Sequence, residues 1–269
     1  MILSRFLLAP LLALLLLLVS CKPSLDKPSA SASDVSKDAA PAALATASSP
    51  AEKPAPVQPS GNILQASTSG DYSLLMVQLP AEKGKKVEVL EFFAYFCNHC
   101  KSFDPALSAW AKKNSDRVTF KRVPVAFRDS MIPQQQMFYA LEAMGKLNGL
   151  HEKVFHAVQV DRISLNTEAE IIDFVGKNGV DKEKFRNLYT SFSIQSLAKN
   201  ASNLQTAYKI DGVPSIGIDG RFVTSATHAL KRAGVEQSEV GGQTATLQIM
   251  DELVSKVLKD RSAAAKPGK

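Results

Sequence analysis

The sequence predicts an α/β fold in which a helical subdomain is inserted between two strand-bearing parts. Three observations predict it. A β-branched and aromatic run from Val87 to Phe96 leads straight into a Cys-x-x-Cys and a helical pattern. Residues 130–208 then read almost wholly as helix. Ile210 to Val223 reads as two apolar strands around Asp219-Gly220, a strong hairpin signal, and a further helix follows. The element order is β(β)αβ, a helical block, then ββα.

Met1 to Ser20 carries one early cation, Arg5, and then an apolar run from Phe6 to Val19. The run is short for a membrane span and small residues follow it, which favours a signal peptide (1–20) over a transmembrane anchor. Leu18-Val19-Ser20-Cys21 resembles the lipobox of bacterial lipoprotein signals: apolar, small, small, cysteine. That resemblance implies cleavage before Cys21 and acylation of its thiol. Residues 21–61 add a Pro-, Ala-, Ser- and Lys-rich stretch with few large apolar side chains, which predicts a disordered linker. Signal, cysteine, tether and folded domain is the layout of a lipid-anchored protein. Several acyl chains hold a protein at a membrane far better than one.

The first strand-bearing part is expected over 62–129. Val87 to Phe96 reads as a buried central strand, and Lys101 to Lys113 as a helix with Phe103, Leu107 and Trp110 on its apolar face. Pro105 inside that helix predicts a kink. Cys97 then falls at a helix N-terminus, where unpaired N–H groups and the helix dipole stabilise an anion. The thiolate is the nucleophile, and His99 can add a hydrogen bond or a positive charge. Cys100, one turn along, is the natural resolving thiol. Glu91 is a carboxylate in an apolar strand, which is costly unless it is paired or chemically employed. An edge-facing position is the other reading of it.

Three cysteines are present: Cys21, Cys97 and Cys100. A bridge across two residues stabilises little by closing a loop, so the 97/100 pair is better explained by chemistry. Structural zinc needs four ligands. No second Cys or His pair exists, and His151, His156 and His228 are distant singles, so no metal is expected. The leader implies an oxidising compartment, where disulfides persist.

Val118 to Val125 reads as a strand. Gln134–Lys146 and Leu150–Val160 are amphipathic helices, Thr167 to Glu170 forms a capping box, Asp181 starts a helix, and Ser193–Lys209 closes the insertion of 130–208. The second strand-bearing part spans 209–261 and includes a C-terminal helix, Thr246–Lys259. Residues 262–269 read as a frayed tail.

Glu91-Phe92-Phe93-Ala94-Tyr95-Phe96-Cys97-Asn98-His99-Cys100, together with Gly212-Val213-Pro214-Ser215, resembles the DsbA family of periplasmic disulfide-donating oxidoreductases, over roughly residues 70–260. The resemblance implies a thioredoxin-like fold with an inserted helical subdomain. It makes Glu91 an acid that assists proton transfer and Pro214 a cis-proline facing the cysteines. The backbone of Val213 is then free to pair with an extended substrate chain. It also implies a low-pKa Cys97 and an oxidising disulfide, known properties of that family. The disulfide would pass to reduced, unfolded envelope proteins through a mixed disulfide at Cys97. A membrane quinone-linked, DsbB-like partner would reoxidise the pair, with no cofactor in this chain. A monomer facing the periplasm and held by lipid at Cys21 is expected. The sequence departs from the commonest motif at Asn98, where proline is usual, which leaves the reduction potential open.

The net charge of +6 is modest and scattered, and no basic stripe interleaved with aromatics argues for nucleic acid. Three other functions compete. A reductase or isomerase would share the fold, but isomerases usually add a dimerisation domain that residues 22–60 look too disordered to supply. A lipid-anchored copper carrier would use the soft thiolates, though only His99 stands nearby. The third is a lipoprotein with an idle disulfide.

Overall fold

The computed structural model describes residues 70–82 and 84–265. The expected signal peptide, Cys21 and its acylation, the linker, and the end of the expected tail lie outside these residues.

The central strand β2 (Val87–Phe93) is buried at every position. Its β-branched and aromatic side chains suit a strand covered on both faces. It runs parallel to β3 (Val118–Pro124) and antiparallel to β4 (Ser215–Ile218). β5 (Phe222–Thr224) follows β4, and β1 (Ser73–Leu74) forms the outer edge, in the order β1-β5-β4-β2-β3. Asp219 and Gly220 make the expected β4–β5 turn, both left-handed at φ 55° and 63°. Only glycine fits at 220, because a Cβ there would meet the Leu79 carbonyl oxygen at 2.2 Å.

α1 (Asn98–Lys113) joins β2 to β3, and α8 (Glu239–Ala264) packs beside it. Val87 and Val89 meet Phe103, Leu107, Trp110, Ile249 and Leu253 in one core. The Trp110 indole donates to Asp251 at 3.1 Å, and Arg117 pairs with the same carboxylate at 2.6 Å, which pins α1 to α8. Leu90 and Phe92 belong to the second core, with the inserted helices. These are α2 (Ile132–Ala143), α3 (Leu147–Gln159), α4 (Glu168–Lys177), α5 (Lys182–Tyr189) and α6 (Phe192–Ala207). The capping box is complete: Thr167 accepts from the Glu170 N–H, and the Glu170 carboxylate accepts from the Thr167 N–H. Asp181 caps α5 as expected. The architecture is thus the thioredoxin-like one with a helical insertion.

Some boundaries differ from expectation. β2 ends at Phe93, three residues before Phe96, because the chain turns there and the Cys97 N–H donates to the Ala94 carbonyl. α1 begins at Asn98, three residues before Lys101, and runs on through Pro105. α8 begins at Glu239, not Thr246. Ser238 caps the helix, Gly241 and Gly242 lie inside its first turn, and a Cβ at Gly242 would crowd Ala226 and Leu230 at 3.2 Å. Residues 262–264, expected as tail, complete α8, and the Ser262 hydroxyl donates to Leu258 at 2.9 Å. The strand β1 and the short α7 (Ala226–Ala229) carry no periodic signal long enough to read.

Candidate active site

Cys97 is the N-cap of α1, in extended backbone (φ −83°, ψ 112°). Its sulfur accepts the Cys100 N–H at 3.1 Å, one of the donors that a helix start leaves unpaired. Both cysteines are free thiols, so the structure is that of the reduced pair. Cys97 is 8 % exposed and Cys100 fully buried. The Val213–Pro214 peptide bond is cis, and the Cys97 thiol points at the Val213 carbonyl oxygen, 3.4 Å away. Cys97, Cys100, Val213 and Pro214, distant in sequence, are therefore brought together. A cleft of about 800 Å³ opens here, lined in part by Met76, His99, Val213, Pro214, His228 and Glu239.

The Cys97 thiol is held down to about 7 from its ordinary 9.0. The hydrogen bond from the Cys100 side chain contributes most; burial opposes it; the Cys100 N–H, the charge on His99 and the His99 N–H add to it. Sequence reasoning put the helix start and His99 first, whereas the neighbouring thiol leads. Cys100 moves the other way, far up, chiefly by burial and then by its bond to Cys97. The two thiols are thereby split into an easily ionised outer one and an inner one that stays protonated. His99 is turned outward, with Nδ1 3.1 Å from Glu239 Oε1, and its pKa is raised mainly by that contact.

Glu91 is buried at 1 % exposure in the central strand, so the edge-facing reading fails. The parallel register sets it opposite Arg122, whose Nε lies 3.0 Å from Glu91 Oε2. The contact is close but poorly directed, and both charge and hydrogen bonding from Arg122 pull the Glu91 carboxyl down. Burial pushes the Glu91 carboxyl up from 4.5 to about 7, against the pull of Arg122 and with a further push from Asp104. The Cys97 charge raises Glu91, and the Glu91 charge raises Cys100, so acid and thiols sense one another.

Several residues of this site were not foreseen. Arg122 also binds Asp104 (2.5 Å) and the Ser108 hydroxyl (2.7 Å). Burial pushes Asp104 up, but His151 and Arg122 outweigh it and leave its carboxyl below the ordinary range. His151 is buried in an aromatic cluster, with Nδ1 2.9 Å from the Tyr95 hydroxyl and Nε2 3.6 Å from Asp104. The Gln159 amide donates to the Tyr95 and Cys97 carbonyls at 2.8 and 3.0 Å, tying the insertion to the active-site turn. Asp104 had a readable signal, since it lies four residues beyond Cys100 and so on the same helix face. Among the described residues, no group of three or more His, Cys, Asp or Glu is placed to hold a metal ion.

A DSBA-like thioredoxin domain family matches residues 127–233, and the thioredoxin family matches 78–140. The thiol:disulfide interchange protein DsbA of Burkholderia cepacia is 38% identical over 172 residues, 64% of this chain and 76% of that one. Its counterpart in Pseudomonas aeruginosa is 34% identical over 196 residues, 73% of this chain and 86% of that one. The crystal structure of Pseudomonas aeruginosa DsbA superposes with a TM-score of 0.64 at 35% identity, covering 73% of this chain and 95% of that one. The oxidoreductase NmDsbA1 from N. meningitidis gives 0.59 at 25%, covering 71% and 94%.

Proposed function

This chain belongs to the DsbA family of thiol:disulfide oxidoreductases, and from that premise we propose that it donates the Cys97–Cys100 disulfide to reduced proteins of the bacterial envelope. The observation that carries the exchange chemistry is the split between the two thiols: a Cys97 thiol held down to about 7 beside a protonated Cys100 is the outer nucleophile of a mixed disulfide. The direction, donation rather than reduction, is supported by the family.

A substrate thiolate attacks Cys97 Sγ. The Cys97–Cys100 bond breaks, its electron pair leaves on Cys100, and Cys100 takes up a proton. Glu91, with a carboxyl near 7, is the group to supply that proton. A second substrate thiolate then attacks the substrate sulfur of the mixed disulfide and releases the Cys97 thiolate, which Cys100 stabilises by hydrogen bonding. The substrate loses two electrons and the enzyme gains them. Val213 offers its backbone to an extended chain in the cleft beside Pro214. A DsbB-like, quinone-linked membrane protein returns the enzyme to the disulfide.

The lipobox-like Leu18-Val19-Ser20-Cys21 supports a signal peptide at 1–20, acylation of Cys21, a linker to 61 and a periplasm-facing protein held at a membrane. The mass of the mature N-terminus checks this: an acylated Cys21 is expected, and an unmodified residue at any other cleavage site would refute the anchor.

Cys100→Ser tests the main reading. Mixed with an unfolded protein carrying one activated disulfide, this variant should hold a stable mixed disulfide at Cys97, and the oxidised wild type should convert reduced substrate thiols to disulfide one for one. Reduction of substrate disulfides without net oxidation would assign the chain to the reductases instead.

A further inference from the structure

Glu239 is the first residue of α8, and its carboxylate is turned onto the active-site turn. Oε1 lies 3.1 Å from His99 Nδ1. The same oxygen accepts from Gln243 Nε2 at 3.1 Å and contacts the Ser102 hydroxyl. Gln243 Nε2 also reaches Ser102 Oγ at 2.9 Å, and Ser102 Oγ lies 3.1 Å from the His99 carbonyl oxygen. The imidazole is thus held by a carboxylate that two other side chains hold in turn.

Burial does not force this arrangement, because the His99 and Glu239 side chains are 68% and 44% exposed. A first-turn glutamate already interacts favourably with its own helix end and needs no histidine for that. The turn around Cys97 has reason to need an outside brace, because Asn98 lacks the ring that would restrict it from within.

We propose that Glu239 is a positioning residue for the Cys97 chemistry: it fixes the His99 ring and keeps it cationic, and the cation favours the Cys97 thiolate. The proposal rests on the thiol–disulfide function put forward above and names a determinant of its strength. The contact with Glu239 is the largest influence raising His99, and the charge on His99 lowers Cys97, after Cys100. Cys97, the N-cap of α1, is the other group acting on His99, while Lys209, Asp211 and His228 line the same cleft from the Pro214 loop and from α7. A thiolate less favoured in the reduced enzyme makes a weaker oxidant.

The test compares wild type, Glu239→Gln, His99→Ala and the double variant, each reduced and read by thiolate absorbance against a Cys97→Ser blank. Glu239→Gln keeps the length and the hydrogen-bonding atoms and removes the charge. It should lower the thiolate-to-thiol ratio of Cys97 at neutral pH by roughly threefold, the size that an exposed ion pair supports. The glutathione equilibrium should move the same way, to a more reducing potential, by roughly threefold, or about 14 mV for a two-electron couple. The His99 ring, followed by NMR, should titrate at lower pH. In the His99→Ala background the same substitution should be silent, since coupled residues are not additive. An unchanged Cys97 titration, an easier ionisation, or an equal effect without His99 would overturn the proposal. Failure of the wild type to oxidise substrate thiols would instead overturn the function, and the coupling would still be read from the titrations.

Discussion

Glu91 is a carboxyl that the fold keeps close to neutral. Burial lifts it from 4.5 to about 7, and Arg122 offsets only part of that. Arg122 pulls the other way by charge and by hydrogen bonding, at 3.0 Å, but burial outweighs both. The folded-state value lies above the free one, so the unfolded chain releases this proton first. Stability therefore falls as pH rises from 4.5 to about 7, by about 3 kcal/mol at ~1.4 kcal/mol per unit. Glu91→Gln removes that titration and little volume. In urea unfolding of the reduced protein, the Gln variant should gain about 3 kcal/mol on wild type between roughly pH 4 and pH 8. A difference independent of pH would mean that Glu91 stays charged throughout and serves only as the partner of Arg122.

At the scale of elements, what the sequence makes legible is whatever chemistry is local. The helix start at Cys97, the Asp219-Gly220 turn and the Thr167 capping box each depend on residues within a few positions, and each is found. Glu91 and the cysteines are also legible, because an acid and a Cys-x-x-Cys in apolar surroundings are out of place without work to do. The start of α8 is not, since Gly242 there packs against Ala226 and Leu230, a contact that only the fold supplies. Gln159 and Glu239 were missed for the same reason. Their partners lie far away in sequence: Gln159 is 62 residues from Cys97, and Glu239 is 137 from Ser102. Arg122 falls between these cases. An arginine in an apolar strand is readable as unusual, but its pairing with Glu91 follows from the β2–β3 register, which only the fold supplies.

On the scale of the whole molecule, separate parts of the chain meet at one sulfur. β2 and α1 set Cys97 at a helix start, the loop before β4 brings Val213 and the cis-proline, and α3 reaches in with Gln159. α8 adds Glu239 over His99. The helical insertion thereby does more than enlarge the core, because its Gln159 holds the carbonyl of the nucleophile itself. This convergence makes one thiol easy to ionise while its neighbour stays protonated, the asymmetry that thiol–disulfide exchange through Cys97 needs. The most direct measurement is the ultraviolet titration of the Cys97 thiolate in the purified, reduced protein, with Cys97→Ser as the blank. A single transition with its midpoint at about 7 is expected, with Cys100 silent across it. A midpoint at the ordinary 9.0, or two overlapping transitions, would contradict an activated outer thiol and with it exchange through Cys97.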